Sequence, residues 1–307
     1  MSAAADALIL HQYEISPFSE KVRVAFGIKG LTWHACDQPV INPKPEMARL
    51  TGGYRRIPVL QIGADVWFDS LYIIEELERR FPTPPAFAGS GIGVANAFSR
   101  WSDNELFMGA VGLLFAGDWN FDEAFLKDRS ELIGSPFDPA QMAAAGPHLT
   151  LQLRQNLSLL ETQLADGRAF LMGDKPDAID AAVYCQTIFI RWGKGDTASH
   201  IDALPKLCAW EKRVEALGHG KRLEDIGREE SLAIAKAATP APITPKSEAG
   251  FAPGDAVAIK FHDANTPVLK GTLVSIDLRG LTLKPSRSEL GEIHLHMPHS
   301  VGAISKA

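Results

Sequence analysis

A serine stands where a helix begins. Leu8-Ile9-Leu10 reads as a short apolar strand, and Ser16-Pro17-Phe18-Ser19 opens a helix just beyond it. Proline at the first helical position has no amide to waste, and the serine before it caps an orphan N–H. A hydroxyl at the positive end of a helix, at the mouth of a sheet, is placed to hold an anion. The same hydroxyl also suits a plain cap. Tyr13, three residues upstream at the strand end, is the rival. A second polar group lies far downstream, where His262, His294, His296 and His299 make up four of the nine histidines. His294 and His296 are two apart on a predicted strand and share a face opposite Ile293, Leu295 and Met297. That spacing would suit two metal ligands, but the reading taken here is the polar outer face of a half-buried strand, with no metal.

The elements that position these groups follow from pattern. Residues 7–82 read as strand, helix, strand, short helix, two strands, helix. Phe18, Val22, Ala25 and Phe26 share one face of the first helix, and Gly27 and Gly30 mark its end. Val59–Ile62 and Val66–Phe68 flank Gly63-Ala64-Asp65, a hairpin signal, and Leu71, Ile74, Leu77 and Phe81 recur at helical spacing. Pro82-Thr83-Pro84-Pro85 then makes a stiff connector. From about 91 to 235 the signals are helical, including the stripe Leu149, Leu153, Leu157, Leu160, Leu164 and an acidic cap at Asp177 with Asp180 three residues on. Residues 236–250 are rich in Ala, Pro and Thr and read as a linker. Beyond them Val257, Ile259 and Phe261 alternate, as do Leu281 and Leu283, predicting a small all-β module over 251–307, a barrel-like or sandwiched meander.

Composition narrows the function. A chain of 307 residues suggests two or three domains, and 46% apolar with 22% charged residues is ordinary for a globular protein. A net charge of −6 gives no electrostatic case for nucleic acid or an anionic membrane. Cys36, Cys185 and Cys208 are sparse and never paired as Cys-x-x-Cys, which fits a reducing cytoplasm better than a disulfide framework. The start MSAAADALIL lacks a basic leader, and the longest apolar run, Met108 to Ala116, is too short to span a bilayer.

Three segments together, SPFSEKVRVAFGIKG (16–30), RRIPVLQIG (55–63) and DSLYIIEELERRF (69–81), resemble the glutathione S-transferase family in order and spacing over the first eighty or so residues. The Ser-Pro-Phe start looks most like the serine-using branch. The resemblance implies a thioredoxin-like glutathione-binding domain over 1–83 and an all-helical domain over 91–235, in which FLMGDKPDAIDAAVY (170–184) is a buried capping segment. It further implies Ser16, with Tyr13 second, as the group that activates the glutathione thiol. A cis Ile57-Pro58 bond would pair the Ile57 backbone with the cysteinyl unit, and Ser70 would take the γ-glutamyl carboxylate. Asp69 would complement the α-amino group, where Glu or Gln is commoner, and Arg56 with Lys44 would reach the glycyl carboxylate. Plain solvated loop face is the competing account of Arg55, Arg56 and Lys44. With serine at both 16 and 19, disulfide exchange has no nucleophile.

The energetics are sufficient. A thiol of pKa about 8.5 lowered by about two units needs roughly 2.7 kcal/mol of preference for the thiolate. One hydrogen bond to a charged group supplies about 1.5–3 kcal/mol and a helix start about 0.3–1 kcal/mol. A hydrophobic electrophile would bind between the domains near Trp101, Phe107, Met108 and Phe115, each of which also fits plain core. The family further implies a cytoplasmic homodimer. The alternatives are glutathione-dependent isomerisation or dehalogenation, and a non-enzymatic glutathione-binding scaffold that docks partners through its β-module.

Overall fold

A computed structural model describes residues 6–116 and 122–307. The first five residues of the segment searched for a leader lie outside these. Among the described residues no helix is long and apolar enough to cross a membrane.

The N-terminal half runs β1 (Ile9–Gln12), α1 (Pro17–Lys29), β2 (Thr32–Asp37), α2 (Pro45–Thr51), β3 (Val59–Ile62), β4 (Asp65–Phe68) and α3 (Ser70–Arg80). Strand β1 pairs in parallel with β2 and antiparallel with β3, which in turn pairs antiparallel with β4. The first helix begins as its sequence demands: Ser16 is extended, Pro17 follows it, and the helix stops at Gly30, whose φ of 60° a side chain would resist. Buried charges on α1 are paired, as burial requires. Lys21 Nζ donates to Asp103 at 2.7 Å and Lys29 Nζ donates to Glu78 at 2.5 Å.

The helical part comprises α4 (Gly91–Trp101), a π-turn (Ser102–Leu106), α5 (Phe107–Ala116), α6 (Glu123–Ile133), α7 (Pro139–Gln163), α8 (Ala178–Arg191), α9 (Ser199–Asp202) and α10 (Pro205–Glu215). The predicted leucine stripe is real, with Leu153, Leu157, Leu160 and Leu164 in one core cluster with Leu106 and Ala110. Gly112 lets α5 approach α7, since a Cβ there would fall 2.4 Å from Leu149. The cap is a complete capping box. Asp177 accepts from the Ile179, Gly89 and Ser90 amides, and Asp180 accepts from Asp177 N, Leu171 N and Trp210 Nε1. Both carboxylates are consumed in holding the helix start.

The chain then crosses back. β5 (Lys221–Arg222) adds to the outer edge of β2, and α11 (Arg228–Ala237) packs on α2 and β2, placing Leu232 and Ala235 against Met47, Leu50 and Phe68. Five strands follow: β6 (Ala256–Phe261), β7 (Leu269–Ile276), β8 (Gly280–Pro285), β9 (His294–Pro298) and β10 (Gly302–Lys306). They form the predicted meander, with β10 folded back onto β6, but they do not stand alone. β9 lies parallel to β4, giving one ten-stranded sheet in the order β10-β6-β7-β8-β9-β4-β3-β1-β2-β5. The hydrophobic core is shared in the same way, since Val59, Val66 and Phe68 cluster with Val257, Phe261, Leu283 and Leu295. β4 would otherwise present an unpaired row of backbone groups, and β9 covers it. The segment read as a linker is stitched to both parts, with Ala241 N donating to Asp65 and Lys246 N to Ser275. His294 and His296, expected on a solvated face, are instead 7% and 6% exposed, because β4 and its neighbours enclose that face.

Candidate functional site

One cleft of about 440 Å³ opens where the two halves meet. Its floor is built by Phe18 from α1, by Tyr54, Arg56, Ile57 and Pro58 from the loop before β3, and by Asp69 and Ser70 at the start of α3. The Ile57-Pro58 bond is cis. Asp69 holds φ at 74°, a left-handed value rare for a side-chain-bearing residue and concentrated at functional sites. Its Oδ1 accepts from Leu71 N at 3.0 Å and Tyr72 N at 3.2 Å, so the α3 terminus is capped as it enters the cleft. Ser70 follows as the first helical residue, where amides point outward and anions bind.

A second wall comes from Asn96, Arg100, Asp103 and Asn104 on α4 and the π-turn. Burial opposes the Lys21 ammonium, yet the Asp103 carboxylate beside it holds the Lys21 pKa above its usual value, so this wall is braced by a charged pair. The third wall was not foreseen. Leu278 and Arg279 from the β7–β8 turn, with Pro298 at the end of β9 and His299 and Ser300 just after it, close the cleft from the C-terminal strands. Arg279 pairs with Glu75 of α3, which also accepts from Asn96 Nδ2 at 2.9 Å. His299 Nε2 sits 2.6 Å from the Asp277 carbonyl oxygen. In sequence these positions signal only a turn and a strand end. The cleft lining therefore carries Arg56, Arg100 and Arg279 against Asp69, Glu75 and Asp103, which suits a ligand bearing charges of both signs.

Of the residues singled out from sequence, Arg56, Ile57, Pro58, Asp69 and Ser70 converge on this cleft. Ser16, Tyr13 and Lys44 do not line it. Ser16 is 1% exposed, and its Oγ accepts from Ser19 N at 3.1 Å, which commits a lone pair to the cap and leaves the O–H to donate. Tyr13 is half-buried against the core that both sheet halves share, 5.9 Å below the Lys44 ammonium. Lys44 is buried and donates to the Arg55 carbonyl at 3.2 Å, and loss of water pushes its pKa down to about 8. Arg55 pairs with buried Asp128 of α6, so two of the three basic residues are structural ties rather than a solvated face. Arg56 Nε donates to Asp263 Oδ1 at 2.7 Å. Trp101, Phe107, Met108 and Phe115 stand apart from the cleft. Trp101 packs edge-on against Phe98, Phe115 against Phe137, and Met108 is exposed. Phe107 reaches the cleft only through Phe18, their rings 5.1 Å apart.

Comparison with known proteins gives this geometry a context. Residues 10–85 match the family model of the glutathione S-transferase N-terminal domain, and residues 118–222 match a domain of unknown function. A probable glutathione S-transferase of Oryza sativa subsp. indica is 31% identical over 210 residues, covering 67% of this chain and 84% of that protein. Against two other curated glutathione S-transferases, from Arabidopsis thaliana and Oryza sativa subsp. japonica, the chain spans only 31% and 45% of their length. A GST-like protein of Pseudomonas syringae, known from its crystal structure, is 31% identical with a TM-score of 0.81 over 98% of this chain and 100% of that one. A glutathione S-transferase of Methylobacterium radiotolerans, crystallised with glutathione sulfonate, shares the fold at 21% identity and a TM-score of 0.51. It matches over 97% of its own length but only 72% of this chain, which leaves more than a quarter here without a counterpart. The chain belongs to the glutathione S-transferase family.

Proposed function

We propose that the protein is a glutathione transferase that holds glutathione in the 440 Å³ cleft and activates its thiol through Ser16. The supporting observation is the convergence of Asp69 and Ser70, at a helix start, with Arg56 and the Ile57 backbone across one cleft of mixed charge. In this reading Ser70 and the α3 amides receive the γ-glutamyl carboxylate and Asp69 faces the ammonium. The Ile57 backbone pairs with the cysteinyl unit as an added strand would. The sulfur then lies toward the start of α1, where the thiol gives up its proton to solvent, Ser16 Oγ–H donates a hydrogen bond to the thiolate, and the helix dipole adds to the stabilisation. Lys44 supports the loop that carries Arg56 from beneath. A hydrophobic electrophile enters from the Phe18–Phe107 side. Thiolate attack forms the C–S bond of the thioether conjugate as the displaced group leaves as an anion or, in an addition, as solvent protonates the carbanion. A homodimer in the cytoplasm belongs to the same proposal on family grounds.

The test is retention on immobilised glutathione followed by conjugation to a generic aromatic electrophile. Ser16→Ala is expected to lower turnover by one to two orders of magnitude, about 1.4–2.7 kcal/mol, while glutathione binding survives. The pH profile of kcat/KM in that variant should shift upward, toward the free thiol value of about 8.5. Retention without turnover in the wild type would favour the binding-scaffold reading. The burial of Ser16, whose hydroxyl already caps a helix, is the observation on that side.

A further inference from the structure

The seam between β4 and β9 contains a cluster that the transferase reading does not use. Asp65 opens β4, and in the parallel register it faces His294, with Trp67 facing His296. One nitrogen of each histidine and one oxygen of Asp65 lie within 4.8 Å of one another, and all three residues are buried. His296 Nε2 is 2.7 Å from Asp65 Oδ1, and His294 Nδ1 is 3.8 Å from the same oxygen. That His294 nitrogen is buried without a hydrogen-bond partner. A seam built for hydrogen bonding alone would not leave it so, because a buried polar atom left unmatched is costly.

The atoms facing away from the cluster have polar neighbours of their own. His296 Nδ1 lies 3.0 Å from Thr282 Oγ1, and its ring stacks on Trp67 at 4.4 Å. The second oxygen of Asp65 accepts from Ala241 N at 2.7 Å. Glu292 Oε1 stands 3.7 Å from His294 Nε2, on the solvent side. Outer nitrogens facing a carboxylate or hydroxyl, with the inner ones converging, are the arrangement that fixes ring orientation in metal-ligating histidines.

We propose that Asp65 Oδ1, His294 Nδ1 and His296 Nε2 bind a divalent transition metal of the zinc class, which clamps the C-terminal strands to β4. Two imidazoles and one carboxylate are a zinc-type donor set and leave the fourth position to water. Ligand atoms in such a tetrahedron are about 3.3 Å apart, so the set opens by about 0.6 Å between His296 and Asp65 and closes by about 0.5 Å between His294 and Asp65. The ion takes the place of the proton between His296 Nε2 and Asp65, and His296 carries its proton on Nδ1 instead, facing Thr282 Oγ1. Because β9 ends at Pro298 and runs directly into His299 and Ser300, the clamp lies at the root of a cleft wall.

The test uses the full-length protein, stripped with a chelator, desalted, and titrated with Zn²⁺ and with Co²⁺. Expected are one ion per chain, a visible Co²⁺ spectrum of a four-coordinate nitrogen/oxygen site, and a thermal midpoint that rises with added Zn²⁺. His294→Leu removes Nδ1, which makes no hydrogen bond in the metal-free seam, and Nε2, which only faces the exposed Glu292 at 3.7 Å, so this variant should fold and melt close to the stripped wild type while binding Zn²⁺ at least about 100-fold more weakly. His294→Gln is the second variant and should lose binding likewise. Folded, stripped wild type that takes up neither ion would overturn the proposal. So would tight stoichiometric uptake that both His294 variants retain. Neither result depends on glutathione turnover, so the transferase reading is judged separately.

Discussion

The side chain of Arg56 donates through Nε to Asp263 Oδ1 at 2.7 Å, tying the loop at the cleft floor to the β6–β7 loop of the C-terminal strands. Asp263 is buried and its second oxygen lacks a partner, whereas Arg56 stays half exposed. In the proposed function, an incoming glycyl carboxylate would therefore compete with Asp263 for this guanidinium. Asp263→Asn keeps an acceptor and removes the charge. It should tighten glutathione binding about threefold to tenfold, or about 0.7–1.4 kcal/mol. Arg56→Ala should weaken binding by about tenfold or more. Calorimetric titration with glutathione decides the point, and weaker binding in Asp263→Asn would remove Arg56 from the carboxylate site.

Asp177 is a different case, a carboxylate spent on architecture. It receives Ile179 N, Gly89 N, Ser90 N and Ser90 Oγ within 3.1 Å and is fully buried at the join between α8 and the segment leading into α4. Asp177→Ala leaves these donors unmatched and should cost about 3–4 kcal/mol in denaturant unfolding. Turnover per folded molecule should be unchanged. A selective loss of kcat would mean that the segment acts in chemistry after all.

What was legible in the sequence was whatever depends on near neighbours. The Ser16 cap, the Gly63-Ala64-Asp65 hairpin and the Asp177–Asp180 capping box each close within about four residues, so residue type and spacing suffice. The cleft floor at Arg56–Pro58 and Asp69–Ser70 was reached through resemblance. The β4–β9 seam was not legible. It joins Asp65 to His296 across 231 positions, and alternation along β9 indicates only that one face is polar. Pairing beside β4 buries that face too, which is why His294 and His296 look like surface residues in sequence and are enclosed in the fold. Arg279 and His299 were hidden for the same reason, since a turn signal carries no information about the cleft beneath it.

The shared sheet makes the C-terminal strands part of the protein's stability. A chain ending after α11 would uncover the β4 edge together with Val59, Val66 and Phe68, which otherwise pack on Phe261, Leu283 and Leu295. Each such side chain is worth about 1.5–3 kcal/mol on burial, and an open apolar edge strand invites aggregation. The truncated chain is therefore expected to be insoluble or to lack a cooperative unfolding transition by circular dichroism. A soluble truncation that melts cooperatively and is retained on glutathione would show the meander to be dispensable.

Acid should loosen the sheet at His11. Burial pushes its pKa down to about 4, a shift that the hydrogen bond His11 Nε2 donates to Gln61 Oε1 only partly offsets. The unfolded chain takes up this proton near the ordinary value of about 6.5, so between the two values unfolding binds a proton and stability rises with pH. The contribution is fully present above pH 6.5 and is lost as the pH falls toward 4. Linkage puts the loss at about 2 kcal/mol by pH 5 and about 3 kcal/mol by pH 4. His11→Gln has no group to titrate there. The stability gap between wild type and variant, from urea unfolding at pH 7 and pH 5, should therefore shift by about 2 kcal/mol in favour of the variant at the lower pH. The comparison cancels the carboxylates, which titrate alike in both chains. A gap that stays constant between pH 7 and pH 5 would mean that the imidazole beside Gln61 accepts its proton in the native state as readily as in the unfolded one.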